Sequence, residues 1–193
     1  MFSWFSFLSY TFIVAYTPGP INIMSMNNAR NIGLRNSILF NAGNYTGHFI
    51  VMLACLTFSK VLYTVLPQVQ LPMKIAGAAY LSYLIVKILF RANKQGITDS
   101  KNKSFLVGML LQLVNIKVIL FGLTAMSSYL LPHYESVTIL VLFALLMSSI
   151  QFSANIVWTL SGSLINKLFI NHGRLLSIIM AVLLLYCIVK IFI

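Results

Sequence analysis

Thr17-Pro18-Gly19-Pro20-Ile21-Asn22 interrupts a run of apolar residues that otherwise reads as one membrane-crossing helix. Each proline removes a backbone donor and clashes with the preceding turn, and Gly19 between them accepts torsions that other residues avoid. In hydrocarbon a freed carbonyl costs several kcal/mol unless protein or a water-filled cavity satisfies it. A helix broken at membrane depth therefore points to a cavity beside it. Cavities at that depth are where transporters hold solutes.

Outward from this break, the chain is composed for lipid. It has 193 residues, 60% of them hydrophobic and 8% charged, whereas a soluble domain carries roughly a quarter charged residues. Asp99 and Glu135 are its only acidic residues, too few for a solvated surface. The net charge of +11 rests on cations spread singly and in connectors, so membrane orientation explains it better than nucleic acid does. Cys55 and Cys187 lie in apolar runs with no C-x-x-C and read as small buried hydrophobes, not a redox pair. Residues 1–16 have no basic n-region and no A-x-A site, so the first segment is expected to stay in the mature protein.

A spanning helix takes about 20 mostly apolar residues. Six stretches qualify: 4–27, 36–59, 70–91, 104–130, 136–160 and 173–193. Asn27-Asn28 and Gly33 separate the first two, Pro67 and Pro72 mark the approach to the third, Pro132 follows the fourth, and Asn171-His172-Gly173 leads into the sixth. The expected fold is therefore an all-α membrane protein of six transmembrane helices, one transporter domain spanning 1–193. The connectors after segments one, three and five hold eight cations: Arg30, Arg35, Arg91, Lys94, Lys101, Lys103, Lys167 and Arg174. The other side holds three, Lys60, Lys74 and Lys190. The excess of positive charge predicts a cytoplasmic loop at 93–103 and both termini outside.

Three segments on each side of that loop predict halves 1–92 and 103–193 with inverted topology. Segment one is broken midway, and segment four carries Gln112, Asn115 and Lys117 midway. Segment two has Asn41, Asn44 and His48, and segment five has Ser148, Gln151 and Asn155, each set spaced along one helical face. Matching polar interruptions in two halves point to a binding site at their interface.

Lys117 is the outstanding charge. At mid-segment depth it is costly, and with both carboxylates in connectors its partners must be carbonyls, amides such as Asn115, water or an anionic ligand. The bland alternative is a lysine nearer the cytoplasmic end that snorkels. His48 reads either as a hydrogen-bonded interhelical histidine or as a proton-titrating group. Asn22, Asn44, Gln112, Asn115, Gln151 and Asn155 suit a zwitterion's ammonium and carboxylate, though intramembrane amides are also common helix–helix glue. Gly43 and Gly47 read as a small-x-x-x-small packing pair, and Trp4, Tyr10 and Trp158 as interfacial anchors or packing. There is no phosphate-binding G-x-x-x-x-G-K-[ST], no H-E-x-x-H and no Cys/His cluster, so neither enzyme chemistry, a metal nor a cofactor is expected.

Thr17-Pro18-Gly19-Pro20-Ile21-Asn22, Arg30-Asn31-Ile32-Gly33, Ala76-Gly77-Ala78-Ala79-Tyr80-Leu81 and Asn115-Ile116-Lys117 together resemble the lysine/homoserine-threonine exporter (LysE/RhtB) superfamily over the whole chain. Many members carry Asn-Pro-Lys in segment four. Ile116 stands in that proline's place, which leaves a proline break there unsupported. The resemblance implies a bacterial inner-membrane exporter of small neutral amino acids, with cysteine and O-acetylserine the favoured substrates and the proton gradient the driving force. It implies no nucleic-acid partner and leaves homo-oligomer formation open. On that reading Thr17, Pro18, Gly19, Pro20 and Asn22 form the broken backbone around the substrate. Lys117 and Asn115 meet its carboxylate, and Asn44, Gln112, Gln151 and Asn155 its ammonium and side chain; His48 is the candidate for proton coupling. Two other classes stay open: a membrane thiol oxidoreductase using Cys55 and Cys187, and a helper subunit that transports nothing.

Overall fold

A computed structural model describes residues 2–90, 101–168 and 173–192, and within these every regular element is a helix. Helix α1 (Trp4–Tyr16) starts at Ser3, whose side chain accepts from Ser6 N at 3.3 Å. It stops at Thr17 (φ −59°, ψ 138°), because a residue before proline is pushed out of the helical region. Helix α2 (Pro20–Phe90) begins with proline at its first position, where a missing N–H costs nothing.

Two corners divide α2 into arms of residues 20–32, 34–57 and 59–90. The first corner is Gly33 (φ 82°, ψ 165°), a conformation in which glycine is almost alone. The second is Phe58 (φ −113°, ψ 20°). Pro67 and Pro72 in the sequence predict a connector between segments ending at 59 and starting at 70. Instead, the backbone stays helical through both prolines, and the turn is made earlier, at Phe58. A proline removes one donor and bends a helix without having to end it.

Helix α3 (Lys101–Leu113) and helix α4 (Ile116–Thr124) follow, the latter running into a π-helical turn at Ala125–Leu130 that Leu131 N closes on Met126 O at 2.8 Å. Ser104–Leu113 and Ile116–Leu130 meet at 56°. Segment four is thus broken without a proline. Helix α5 (Val137–Leu168) and helix α6 (Gly173–Phe192) complete the chain. The loop assigned to 93–103 falls largely outside the described residues, as do Arg91, Lys94, Asp99 and Asn171-His172.

The arms of α2 pack on α3, α5 and α6, and α1 lies on α5. Gly43 and Gly47 do bring helices together: a Cβ on Gly43 would stand 2.0 Å from Phe105 O, and one on Gly47 2.5 Å from Met109 O. One apolar cluster joins Phe7, Met52, Phe121, Met126, Phe143 and Met147; a second joins Ile23, Phe40, Leu81 and Leu184. The exterior is apolar too, with Phe5, Ile13, Leu142 and Val182 exposed. Asn22, Asn41, Asn44, His48, Gln112 and Asn155 are buried inside. Polar within and apolar without is the arrangement lipid favours. Among the described residues, Val137–Leu164 is long and apolar enough to cross a membrane alone, and Ser104–Leu113 with Ile116–Leu130 as one bent pair.

Candidate functional site

The carbonyls of Ala15, Tyr16 and Thr17, freed at the break, are taken up by side chains. Asn22 Nδ2 donates to Ala15 O at 2.8 Å and to Thr17 O at 3.0 Å. Trp158 Nε1 donates to Tyr16 O at 3.3 Å, and the Tyr16 hydroxyl lies 3.0 Å from Ser153 Oγ. Thr17 turns its own hydroxyl back to Ile13 O. The break is a built feature, held from α2 and α5.

The second break is made by Asn115 (φ −82°, ψ 101°), whose side chain accepts from Lys117 N at 3.2 Å and so caps α4. Its carbonyl accepts from Val118 N at 2.9 Å and Ile119 N at 3.1 Å. Asparagine favours this cap over helix interior, so the polar residue does what the missing proline would have done.

The two breaks meet. Lys117 Nζ donates to Thr17 O at 3.3 Å, and a Cβ on Gly19 would lie 3.2 Å from that nitrogen. Between them runs a narrow cleft, part of it open to the outside. Gly19, Pro20, Asn22, Gln112, Asn115, Lys117 and Gln151 line it, with Val14, Ile21, Val118 and Phe121 as its apolar walls. Both α2 and α4 begin at this cleft, so the positive ends of two helices face the same space as a lysine. Among the described residues Lys117 has no carboxylate partner, since Glu135 lies in the connector before α5. Such a site favours an anionic group.

Of the residues expected at the site, Thr17, Pro18, Asn44, His48 and Asn155 do not line the cleft. Thr17 reaches it through its carbonyl alone. Asn155 Oδ1 accepts from Gln151 Nε2 at 3.0 Å, which places it one hydrogen bond behind the wall; Gln151 Nε2 also lies 3.3 Å from Asn22 Oδ1. Asn41 is glue: it accepts from Ser25 Oγ and donates to Thr159 Oγ1, both at 2.8 Å. Sequence reading missed Phe121 and Trp158 as parts of the site. Their signal was spacing, because Phe121 follows Lys117 by four residues and Trp158 follows Asn155 by three, each on its partner's face. Cys55 and Cys187 are both free and buried in different apolar clusters, which leaves no dithiol pair for an oxidoreductase.

The sequence model of the LysE type translocator family matches residues 12–193. The chain belongs to this family. Relatives of this translocator include proteins named cysteine/O-acetylserine efflux protein from Escherichia coli (strain K12), Shigella sonnei (strain Ss046) and Shigella flexneri serotype 5b (strain 8401). Each is 39% identical to it over 187 residues, covering 97% of this chain and 96% of the relative. No solved structure matches the translocator. Membership makes it a transport protein of the membrane in class.

Proposed function

We propose that this translocator exports small neutral amino acids, cysteine and O-acetylserine foremost, across a bacterial inner membrane by alternating access. The observation that carries this reading is the convergence of Lys117 and two half-helix N-termini on one cleft between two breaks. The names of the relatives supply the substrates. Lys117 and Asn115 hold the carboxylate, aided by the positive ends of α2 and α4. Asn22, Gln112 and Gln151 receive the ammonium and the side chain, which Val118 and Phe121 border. Lys117 rests on Thr17 O until a carboxylate displaces it. The chain crosses the membrane six times as two inverted three-helix halves, with both termini outside, and a proton gradient drives export with His48 as the coupling group.

Efflux of labelled cysteine, O-acetylserine, threonine and lysine from cells expressing wild type and Lys117→Ala tests this. Efflux of the first two above background, abolished in Lys117→Ala at equal membrane abundance, is expected. No efflux of any of the four by wild type would remove the export reading and favour a helper subunit.

A further inference from the structure

Two rungs tie the middle arm of α2 to α5. Asn41 bonds Thr159 at 2.8 Å, and His48 Nδ1 lies 2.9 Å from Ser148 Oγ. The helices run antiparallel there, so residues between the rungs face one another. Tyr45 meets Phe152 with ring centroids 5.8 Å apart, and the same register brings Asn44 opposite Asn155. Both asparagines are fully buried, yet this rung is not closed: Asn44 Nδ2, Asn44 Oδ1 and Asn155 Nδ2 have no partner.

Helix α3 packs on the adjoining face of α2, with Asn44 between the two faces. A Cβ on Gly108 would lie 3.2 Å from Asn44 N, and one on Gly47 2.9 Å from Gln112 Cβ. Gln112 is also fully buried, and its Nε2 is a fourth atom without a partner. The fifth is His48 Nε2. Ser148 Oγ donates its one proton to Ala144 O at 2.8 Å, so it accepts from Nδ1–H of the neutral ring. Nε2 is then left as a bare lone pair in the interior.

Buried polar atoms in native proteins are almost always paired, by protein or by ordered water. Here donors and acceptors of both kinds are left over on four side chains of α2, α3 and α5, while Asn41, one turn before Asn44, has a partner on each amide atom. A buried water takes two to four such partners. The far ends of two of these amides already reach the cleft wall: Gln112 Oε1 accepts from Asn115 Nδ2 at 3.3 Å, and Asn155 Oδ1 from Gln151 Nε2 at 3.0 Å.

We propose that Asn44, His48, Gln112 and Asn155 hold a small set of buried waters that carries protons between His48 and the Lys117 cleft. A proton delivered by these waters bonds His48 Nε2, Nδ1–H stays on Ser148, and the ring becomes imidazolium. The same Nε2–H bond breaks when the proton returns to these waters. The groups packed round the ring carry no charge: Ser148 from α5, Phe121 from α4 at 5.9 Å between rings, and Asn44 on its own helix. Cys55, two turns on, sits in the apolar cluster, and Lys117 holds the cation of the neighbouring cleft. The water site stands on these orphaned atoms alone; its use in coupling rests on the export reading.

X-ray hydroxyl-radical labelling of the purified full chain in liposomes tests the water site, because buried residues are oxidised where ordered water lies against them. His48 is expected to be labelled although fully buried, and Met147, equally buried among apolar residues, is not. The Asn44→Leu variant is expected to lose the His48 label. An unlabelled His48 in wild type overturns the proposal. In the same liposomes, cysteine counterflow and cysteine-driven proton movement are then compared. Asn44→Leu is expected to keep counterflow and to lose proton movement about a hundredfold, the contribution typical of a positioned proton-transfer group. Proton movement unchanged in Asn44→Leu overturns the relay. Absent counterflow in wild type overturns the export reading alone, since the labelling result does not depend on it.

Discussion

Lys117 and Gly19 set the chemistry of the cleft between them. A methyl group at Gly19 would fall 3.2 Å from Lys117 Nζ and 3.6 Å from Cδ, both on a flexible side chain, so the fold tolerates it while the ammonium is displaced. Gly19→Ala is therefore expected to reach normal membrane abundance with KM for the exported amino acid raised about tenfold, or ~1.4 kcal/mol. Saturation curves of efflux against internal substrate check this, and an unchanged KM would detach Gly19 from the site. Lys117→Met separates function from stability. It removes a half-buried cation that has no carboxylate partner among the described residues, while Asn22 still satisfies Thr17 O. Replacing an unpaired, partly desolvated charge by an apolar side chain removes a desolvation cost. The variant is expected to export nothing and to unfold at a higher temperature in detergent. Lower thermal stability would mean that the lysine is a structural strut.

At the scale of the element, the two breaks were unequally legible. The first was plain, because proline and glycine act on the backbone where they stand. The second was half legible: Gln112, Asn115 and Lys117 marked the place, but Ile116 gave no reason for the helix to stop there. Asn115 stops it by capping Lys117 N, a choice between cap and helix interior that propensity alone does not decide. What satisfies the first break was not legible, since Trp158 reaches Tyr16 O across 142 positions of sequence. Nor could the amides be sorted. Asn41 and Asn44 look alike on one helical face, and only the packing of α5 and α3 makes one a tie and leaves the other unpaired. Asn22 carries the break, so Asn22→Leu strands Ala15 O and weakens the hold on Thr17 O. The expected cost is about 1–3 kcal/mol in thermal unfolding, against ~1 kcal/mol for Trp158→Phe, which withdraws one donor. Equal losses would refute the accounting that gives Asn22 two carbonyls to hold.

Over the whole molecule, the close crossings decide which parts can move. A Cβ on Gly108 would stand 2.2 Å from Phe40 O, and one on Gly162 2.2 Å from Met26 O. With backbones this close, α3 cannot slide on the middle arm of α2, nor α5 on its first arm, without separating. The contacts of α1 with α4 are of another kind. They are side-chain tips and rings: Lys117 on Thr17 O, and Tyr10 stacked on Phe121 at 5.5 Å between centroids. Alternation between the two faces of the membrane is therefore expected to part α1 from α4 and to leave α2 and α3 together. In a background with Cys55 and Cys187 replaced by alanine, two cross-links test this. Tyr10→Cys with Phe121→Cys joins α1 to α4. Asn36→Cys with Ser104→Cys joins α2 to α3, where Ser104 Oγ already donates to Asn36 O at 3.4 Å. Bridging the first pair with a short thiol cross-linker is expected to stop efflux, and a reducible linker restores it on reduction. Bridging the second is expected to leave efflux running. The reverse result would place the moving boundary between α2 and α3, and the glycine crossings would then have to open and close in every cycle.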